Sequence, residues 1–370
     1  MTERLGVAAA LVDGRILPGD VTIDRRTGTV AEVGLPGASP DGLAVPGLVD
    51  LQVNGFAGVE FRSCEPDGYS RAAQALAARG VTALQPTFFS QSIDDYEQSL
   101  RTLAEVHRAP PRGSVFLAAH LEGPFMSHEW KGAHQSEFLI GPDLAVTDRL
   151  LAAGPVGFMT LAPELPGALE LIGHLDRRGV VVSVGHTGAT AAQTRHAAAA
   201  GARHLTHCWN AHRRLTSRDP GPGGVALTEP GLVVGLIADL AHVSAEIVVL
   251  TMRSAPGRVA VTTDAIPFAG AGAGEWLEHG RRVRVVDGAA QLPNGTLAGG
   301  IAGPDDCLRN LLSLGVDTAT AVDACGGVQR GLLGLDEVRV RPGDRADIAV
   351  FDHDFRPRRT LVAGDEVWSA

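Results

Sequence analysis

The sequence predicts an α/β fold: a (β/α)8 barrel over residues 46–335, with a small β-sandwich domain assembled from residues 1–45 and 336–370. Three observations predict it. Through the middle, apolar runs of strand length alternate with Ala- and Leu-rich stretches of helix length, which implies a parallel sheet with helices outside. The alternation persists for nearly 290 residues, a length that suits a closed barrel better than a small open sheet. Both ends carry short strand-like pieces that neither end can bury alone, so together they form one sheet domain.

The elements follow in order. Val7–Val12, Asp20–Asp24 and Val30–Val33 read as strands separated by Gly, Pro and Asp turns. Asp67–Arg79 reads as a helix stopped by Gly80, leading into the strand Val81–Gln85. Ile93–Arg108 reads as a helix ending before Pro110-Pro111, and Thr190–Ala200 as an Ala-rich helix stopped by Gly201. Val338–Val340, Asp347–Asp352 and Arg359–Val362 are the closing strand candidates. No glycine fingerprint follows the first strand, which argues against a dinucleotide-binding sheet.

Composition narrows the function. A formal net charge of −10 leaves no basic footprint for nucleic acid or anionic lipid. Four cysteines without CxxC spacing read as reduced thiols rather than a disulfide framework. No signal peptide and no run of membrane-spanning length is seen, so a cytoplasmic protein is expected.

Four apolar runs end on residues that handle metals or protons: Ser114–Leu121 on Glu122, Val180–Gly185 on His186, Ala202–Thr206 on His207, and Arg258–Thr263 on Asp264. The carboxyl ends of parallel barrel strands gather at one mouth. One Glu and two His suit a divalent ion such as zinc. Asp264 is left to take a proton from water and hand it to a departing amine. Taken singly, Glu122 reads as a loop carboxylate, each His as a core histidine and Asp264 as a turn cap; the joint pattern favours a site. Arg218 and His242 suit an anionic group, with a solvated basic loop as the plain alternative for Arg218. His134 suits donation to a substrate oxygen. His174, His196, His279 and His353 are expected at structural or surface positions, and Cys208 carries no mark of a nucleophile.

In their order along the chain, Pro46–Gly55, His120–Phe125, Lys131–His134, Gly185–Thr187, Thr206–Ala211, Ala238–Val243, Thr263–Ala265 and Gly295–Gly299 resemble the N-acetylglucosamine-6-phosphate deacetylase family of the amidohydrolase superfamily. The resemblance covers essentially the whole chain. It implies the barrel with its small β domain, metal ligands at Glu122, His186 and His207, and the acid/base at Asp264, assisted by His134. It implies substrate contacts at Ala133, Asn210, Ala211, Arg218, His242, Leu297, Ala298 and Gly299. It also implies one divalent ion per subunit, zinc foremost with iron, manganese or cobalt as alternatives, and a homodimer that shares its phosphate pocket. Many amidohydrolases carry His-x-His on the first strand; Gln52 and Asn54 stand there, pointing to one ion rather than two. His212, Leu240 and Gly300 depart from the family's usual Met, Gly and Ser, and bear on the substrate more than on the reaction. Two other readings stand beside this one: a related amidohydrolase acting on another N-acetylhexosamine or N-acyl substrate, and a non-catalytic barrel used as a binding subunit.

Overall fold

The computed structural model describes residues 2–37, 39–270, 274–278, 281–286 and 288–370. His279 lies outside the described residues. Among the described residues, eight parallel strands make the barrel wall: Leu48–Val53, Val81–Phe89, Ala119–Glu122, Val156–Leu161, Val181–Val184, Ala202–Leu205, Val233–Ile237 and Val259–Thr262. The first strand pairs with the second, and a parallel bridge from Val53 to Ala265 draws the last strand's end back to it.

The helices outside are built as their sequences dictate. Ile93–Arg108 opens on Ser92, whose side chain accepts from the Asp95 amide, carries Asp94 and Asp95 in its first turn, and ends on His107 and Arg108. Those charges oppose the helix dipole at both ends. Its buried face is Tyr96, Ser99, Leu100, Leu103 and Val106, at helical spacing. Pro66–Ala77 is followed by Gly80 at φ +77°, where a Cβ would meet the Phe351 ring at 2.9 Å. Glycine alone allows that close approach of barrel and terminal sheet.

The barrel interior is partly polar. His120 Nε2 lies 2.7 Å from Thr160 Oγ1, Thr160 Oγ1 lies 2.8 Å from Thr206 Oγ1, and Ser183 Oγ lies 2.8 Å from His204 Nδ1. Phe158 packs edge-on against both imidazoles.

A six-stranded sheet combines Ala9–Val12, Arg15–Pro18 and Leu43–Pro46 from one end of the chain with Ile348–Phe351, Pro357–Val362 and Asp365–Ser369 from the other. A three-stranded sheet of Thr2–Arg4, Asp20–Asp24 and Thr29–Leu35 completes this region.

Two expectations need correction, and one sheet lies outside them. Val338–Val340 is not a strand: Val340 sits at φ 56°, and the Asp344 carboxylate takes the Arg339 and Arg341 amides at 2.8 and 3.1 Å. A side chain supplies what a neighbouring strand would have supplied. The second barrel strand runs on to Phe89, past Pro86. A four-stranded antiparallel sheet, Gly274–Glu278, Arg281–Val286, Ala289–Gln291 and Leu297–Gly299, follows the last barrel strand and was not foreseen. Its last strand leads to Gly300, whose amide donates to the Asp264 carbonyl at 2.7 Å. A Cβ at Gly300 would lie 2.0 Å from the Thr263 carbonyl oxygen, so serine has no room there in this backbone.

Candidate metal centre and active site

Strand ends deliver the site, and they do so through strained backbone. His186, His207 and Asp264 follow the fifth, sixth and eighth barrel strands at φ 48°, 27° and 49°. Non-glycine residues adopt such values rarely, and they persist where surrounding structure holds them for function. Here each turn swings the side chain over the barrel mouth.

Three ligand-type atoms meet there. Glu122 Oε1 lies 3.2 Å from His186 Nε2 and 3.1 Å from His207 Nε2, and the two nitrogens lie 3.1 Å apart. Atoms about 2.0–2.1 Å from a tetrahedral ion lie about 3.3–3.4 Å from one another, so the triangle is nearly of that size. Its protonation also calls for a cation. His186 Nδ1 lies 3.1 Å from the Trp130 carbonyl, which only accepts, so that nitrogen carries a proton and, in the neutral ring, Nε2 is a lone pair. A bare nitrogen lone pair thus faces a carboxylate oxygen. All three residues are buried. The residues present fit a divalent ion.

Glu122 stays ionised. Burial opposes its charge, but the His134, His186 and His207 side chains around it outweigh that and hold its carboxyl well below the usual range. Gln52 bridges the two carboxylates, its Nε2 donating to Glu122 Oε1 at 2.8 Å and to Asp264 Oδ1 at 3.0 Å. Asn54 Nδ2 also donates to Asp264 Oδ1, at 2.7 Å. Burial, and then the Glu122 charge, push Asp264 up to about 8. Beneath them Asp50 ties the first strand to the last, accepting from the Thr262 and Thr263 hydroxyls at 2.5 Å each.

His134 lies over the cradle. Its Nδ1 is 2.8 Å from Ser90 Oγ, its ring stacks on Phe89 at 3.8 Å, and its Nε2 is 3.7 Å from Glu122 Oε2. Burial, then His186, bring its pKa down to about 3, so the imidazole is neutral near pH 7.

Glu122, His134, His186, His207 and Asp264 all line one cavity of ≈260 Å³. Ala133, Asn210, Ala211, His242, Leu297, Ala298 and Gly299 line the same cavity. His242 is held by Asp239, 2.7 Å away. Arg218 does not line it; it is exposed on the loop after the sixth strand. Among the described lining residues there is no Lys or Arg. Of the departures, His212 is buried beside His207, and Leu240 is exposed at φ 65°. His174 pairs with Asp148, while His196 and His353 are exposed. Burial pushes the Cys208 thiol up, as an inert buried cysteine requires.

Sequence reasoning missed Glu60, Phe89, Ile237, Ile266 and Thr296 in the wall, and Asp50 and Ser90 behind it. Phe89 and Ser90 were within reach: the apolar run after Pro86 continues through Phe88 and Phe89. Glu60 and Asp50 carry no local signal of their partners.

Taken together, the barrel, the strand-end Glu/His/His triangle and the buried Asp beside it define a metal-dependent hydrolase of the amidohydrolase type. No family model matches the chain. It is 34% identical over 346 residues to N-acetylglucosamine-6-phosphate deacetylase of Rattus norvegicus, covering 89% of this chain and 84% of that one. It is 33% identical to N-acetylgalactosamine-6-phosphate deacetylase of Escherichia coli O157:H7, covering 87% of each. A variant of the N-acetyl-D-glucosamine-6-phosphate deacetylase of Mycobacterium smegmatis, solved with N-acetyl-D-glucosamine-6-phosphate, superposes with a TM-score of 0.92 at 31% identity over the full length of both chains. The chain belongs to the N-acetylglucosamine-6-phosphate deacetylase family.

Proposed function

We propose that this chain hydrolyses the acetamide of N-acetylglucosamine 6-phosphate to glucosamine 6-phosphate and acetate. The reading rests above all on one observation: the Glu122/His186/His207 triangle opens, beside Asp264, into a cavity lined by Asn210, Ala211 and Leu297–Gly299.

Glu122, His186 and His207 would hold one divalent ion, and their donor set suits zinc. When bound, such an ion would supply Lewis acidity to the amide carbonyl and to the attacking water, and would favour the ionised form of Asp264. Asp264 takes a proton from water as its oxygen bonds to the carbonyl carbon. It then returns that proton to the nitrogen as the C–N bond breaks, so the amine leaves neutral and the acyl group leaves as acetic acid, which ionises to acetate by releasing its proton to solvent. Gln52 and Asn54 hold Asp264 Oδ1, which leaves Oδ2 for proton transfer. His134 donates from Nε2 to the developing oxyanion when the Ser90 hydroxyl donates to its Nδ1.

The phosphate needs a cation, and the described lining residues supply no Lys or Arg. The exposed Arg218 suits the pocket of a second copy, which supports the homodimer that the resemblance implies. Residues 46–335 form the catalytic unit, and 1–45 with 336–370 the small β domain; the six-stranded sheet drawn from both ends supports that division. Sugar phosphates do not cross membranes unaided, which supports a cytoplasmic setting; no helix among the described residues is long and apolar enough to cross a membrane.

The E. coli relative's substrate favours a second reading, the galactosamine epimer. Acetate release from N-acetylhexosamines with and without 6-phosphate, on protein of measured metal content, decides. Fastest turnover of the phosphorylated gluco isomer is expected; no release from any phosphorylated substrate would refute the proposal.

A further inference from the structure

The corners of the metal cradle are unequally anchored. Glu122 Oε1 receives Gln52 Nε2 at 2.8 Å, and His186 Nδ1 donates to the Trp130 carbonyl at 3.1 Å. His207 points Nε2 at the same place, so its Nδ1 must carry the proton when Nε2 ligates an ion. That Nδ1 is buried and has no hydrogen-bond partner. A buried donor without an acceptor costs about 1–3 kcal/mol. Ligating imidazoles almost always donate their second N–H, which fixes the tautomer and ring orientation.

The neighbouring ring has the complementary deficit. His212 is buried, with its ring centroid 5.7 Å from that of His207 and the planes 33° apart. Its Nε2 lies 2.7 Å from the Thr206 carbonyl oxygen. A carbonyl only accepts, so Nε2 carries the proton and Nδ1 is a bare lone pair. This Nδ1 too is buried without a partner. His212 is also held in place, by a parallel bridge to Thr187, the residue after the other histidine of the cradle.

We propose that His212 is a positioning residue: its Nδ1 accepts the Nδ1–H of His207, directly or through one water, and so fixes His207 in the ligating tautomer. This rests on the reading of Glu122, His186 and His207 as metal ligands. One orphan donor and one orphan acceptor on adjacent buried rings are complementary, and the donor's ring belongs to the Glu122/His186/His207 cradle.

The test is made on the full chain loaded with zinc. Nitrogen-15 NMR of histidine-labelled protein should show His212 protonated on Nε2 with Nδ1 as acceptor, and a slowly exchanging proton on His207 Nδ1. His212 protonated on Nδ1 would overturn the inference, and this readout needs no variant to fold. Chelator competition should show His212→Phe binding zinc about 10–100-fold more weakly, with His212→Gln, which restores an acceptor, recovering most of the loss. A folded His212→Phe protein with unchanged zinc affinity would also overturn it. Wild-type protein that binds no zinc, or a Glu122→Gln variant that binds it equally well, would refute the ligand reading itself and this inference with it.

Discussion

Replacing Asp264 by Asn separates chemistry from structure. The amide keeps an oxygen where Gln52 and Asn54 donate, at 3.0 and 2.7 Å, so the local frame survives. The proton carrier is lost. General acid–base catalysis contributes typically 10²–10⁴-fold, and Asp264 serves twice in one turnover, so kcat should fall at least about 10³-fold, or about 4 kcal/mol. Stability of the metal-free protein should move the other way. Asp264 is held at about 8 against an ordinary 3.8. Below pH 3.8 both folded and unfolded chains are protonated there and no penalty exists. As pH rises through 8 the folded protein must ionise a buried carboxyl, and it loses at most about 6 kcal/mol at 1.36 kcal/mol per pKa unit. Metal-free Asp264→Asn should therefore resist urea better than metal-free wild type at pH 8–9, with the difference closing towards pH 4. Acetate release by metal-loaded enzyme and urea midpoints of the metal-free protein measure the two effects. Turnover within tenfold of wild type would refute the assignment of Asp264; an unchanged metal-free midpoint at pH 9 would refute the account of its buried charge.

Zinc at 100–1,000 times its Kd should stabilise the fold by about 3–4 kcal/mol, raising Tm; Glu122→Gln should abolish most of that rise, and a Tm indifferent to zinc in wild type would count against the cradle. Arg218→Ala should raise KM for the 6-phosphate at least tenfold and leave a non-phosphorylated acetamide unaffected, read by steady-state kinetics on both; equal effects on both would remove Arg218 from the phosphate. Burial lowers His204 to about 3 from 6.5, so the folded chain refuses a proton that the unfolded chain takes. Stability from this group is full above pH 6.5 and is lost towards pH 3, by up to about 5 kcal/mol. His204→Gln should flatten the acid limb of the urea midpoint, and an identical limb would exclude His204 as its source.

The site was legible because barrel chemistry is written at strand ends. Glu122, His186, His207 and Asp264 each close an apolar run, and the geometry brings them together. Gln52 and Asn54 showed only what they are not, imidazoles. That they brace Asp264, with Gln52 also bracing Glu122, depends on contacts spanning 70–212 positions of sequence, which no local pattern carries. The sheet within Gly274–Gly299 was hidden for a related reason: its strands are short, and it packs Val283 and Val285 on Ile266 and Phe268 rather than in the barrel.

By itself, then, the sequence determined the alternation of strand and helix, the two-ended β region and the residue types at the barrel mouth, because periodicity, turn chemistry and strand ends are local properties of the chain. Tertiary structure alone decided that Arg218 stands outside this chain's own cavity, that Val338–Val340 is tied off by Asp344, and that two buried imidazole nitrogens, on His207 and His212, are left without partners. Those outcomes depend on which hydrogen-bonding groups are buried together, and burial is settled only when distant segments pack.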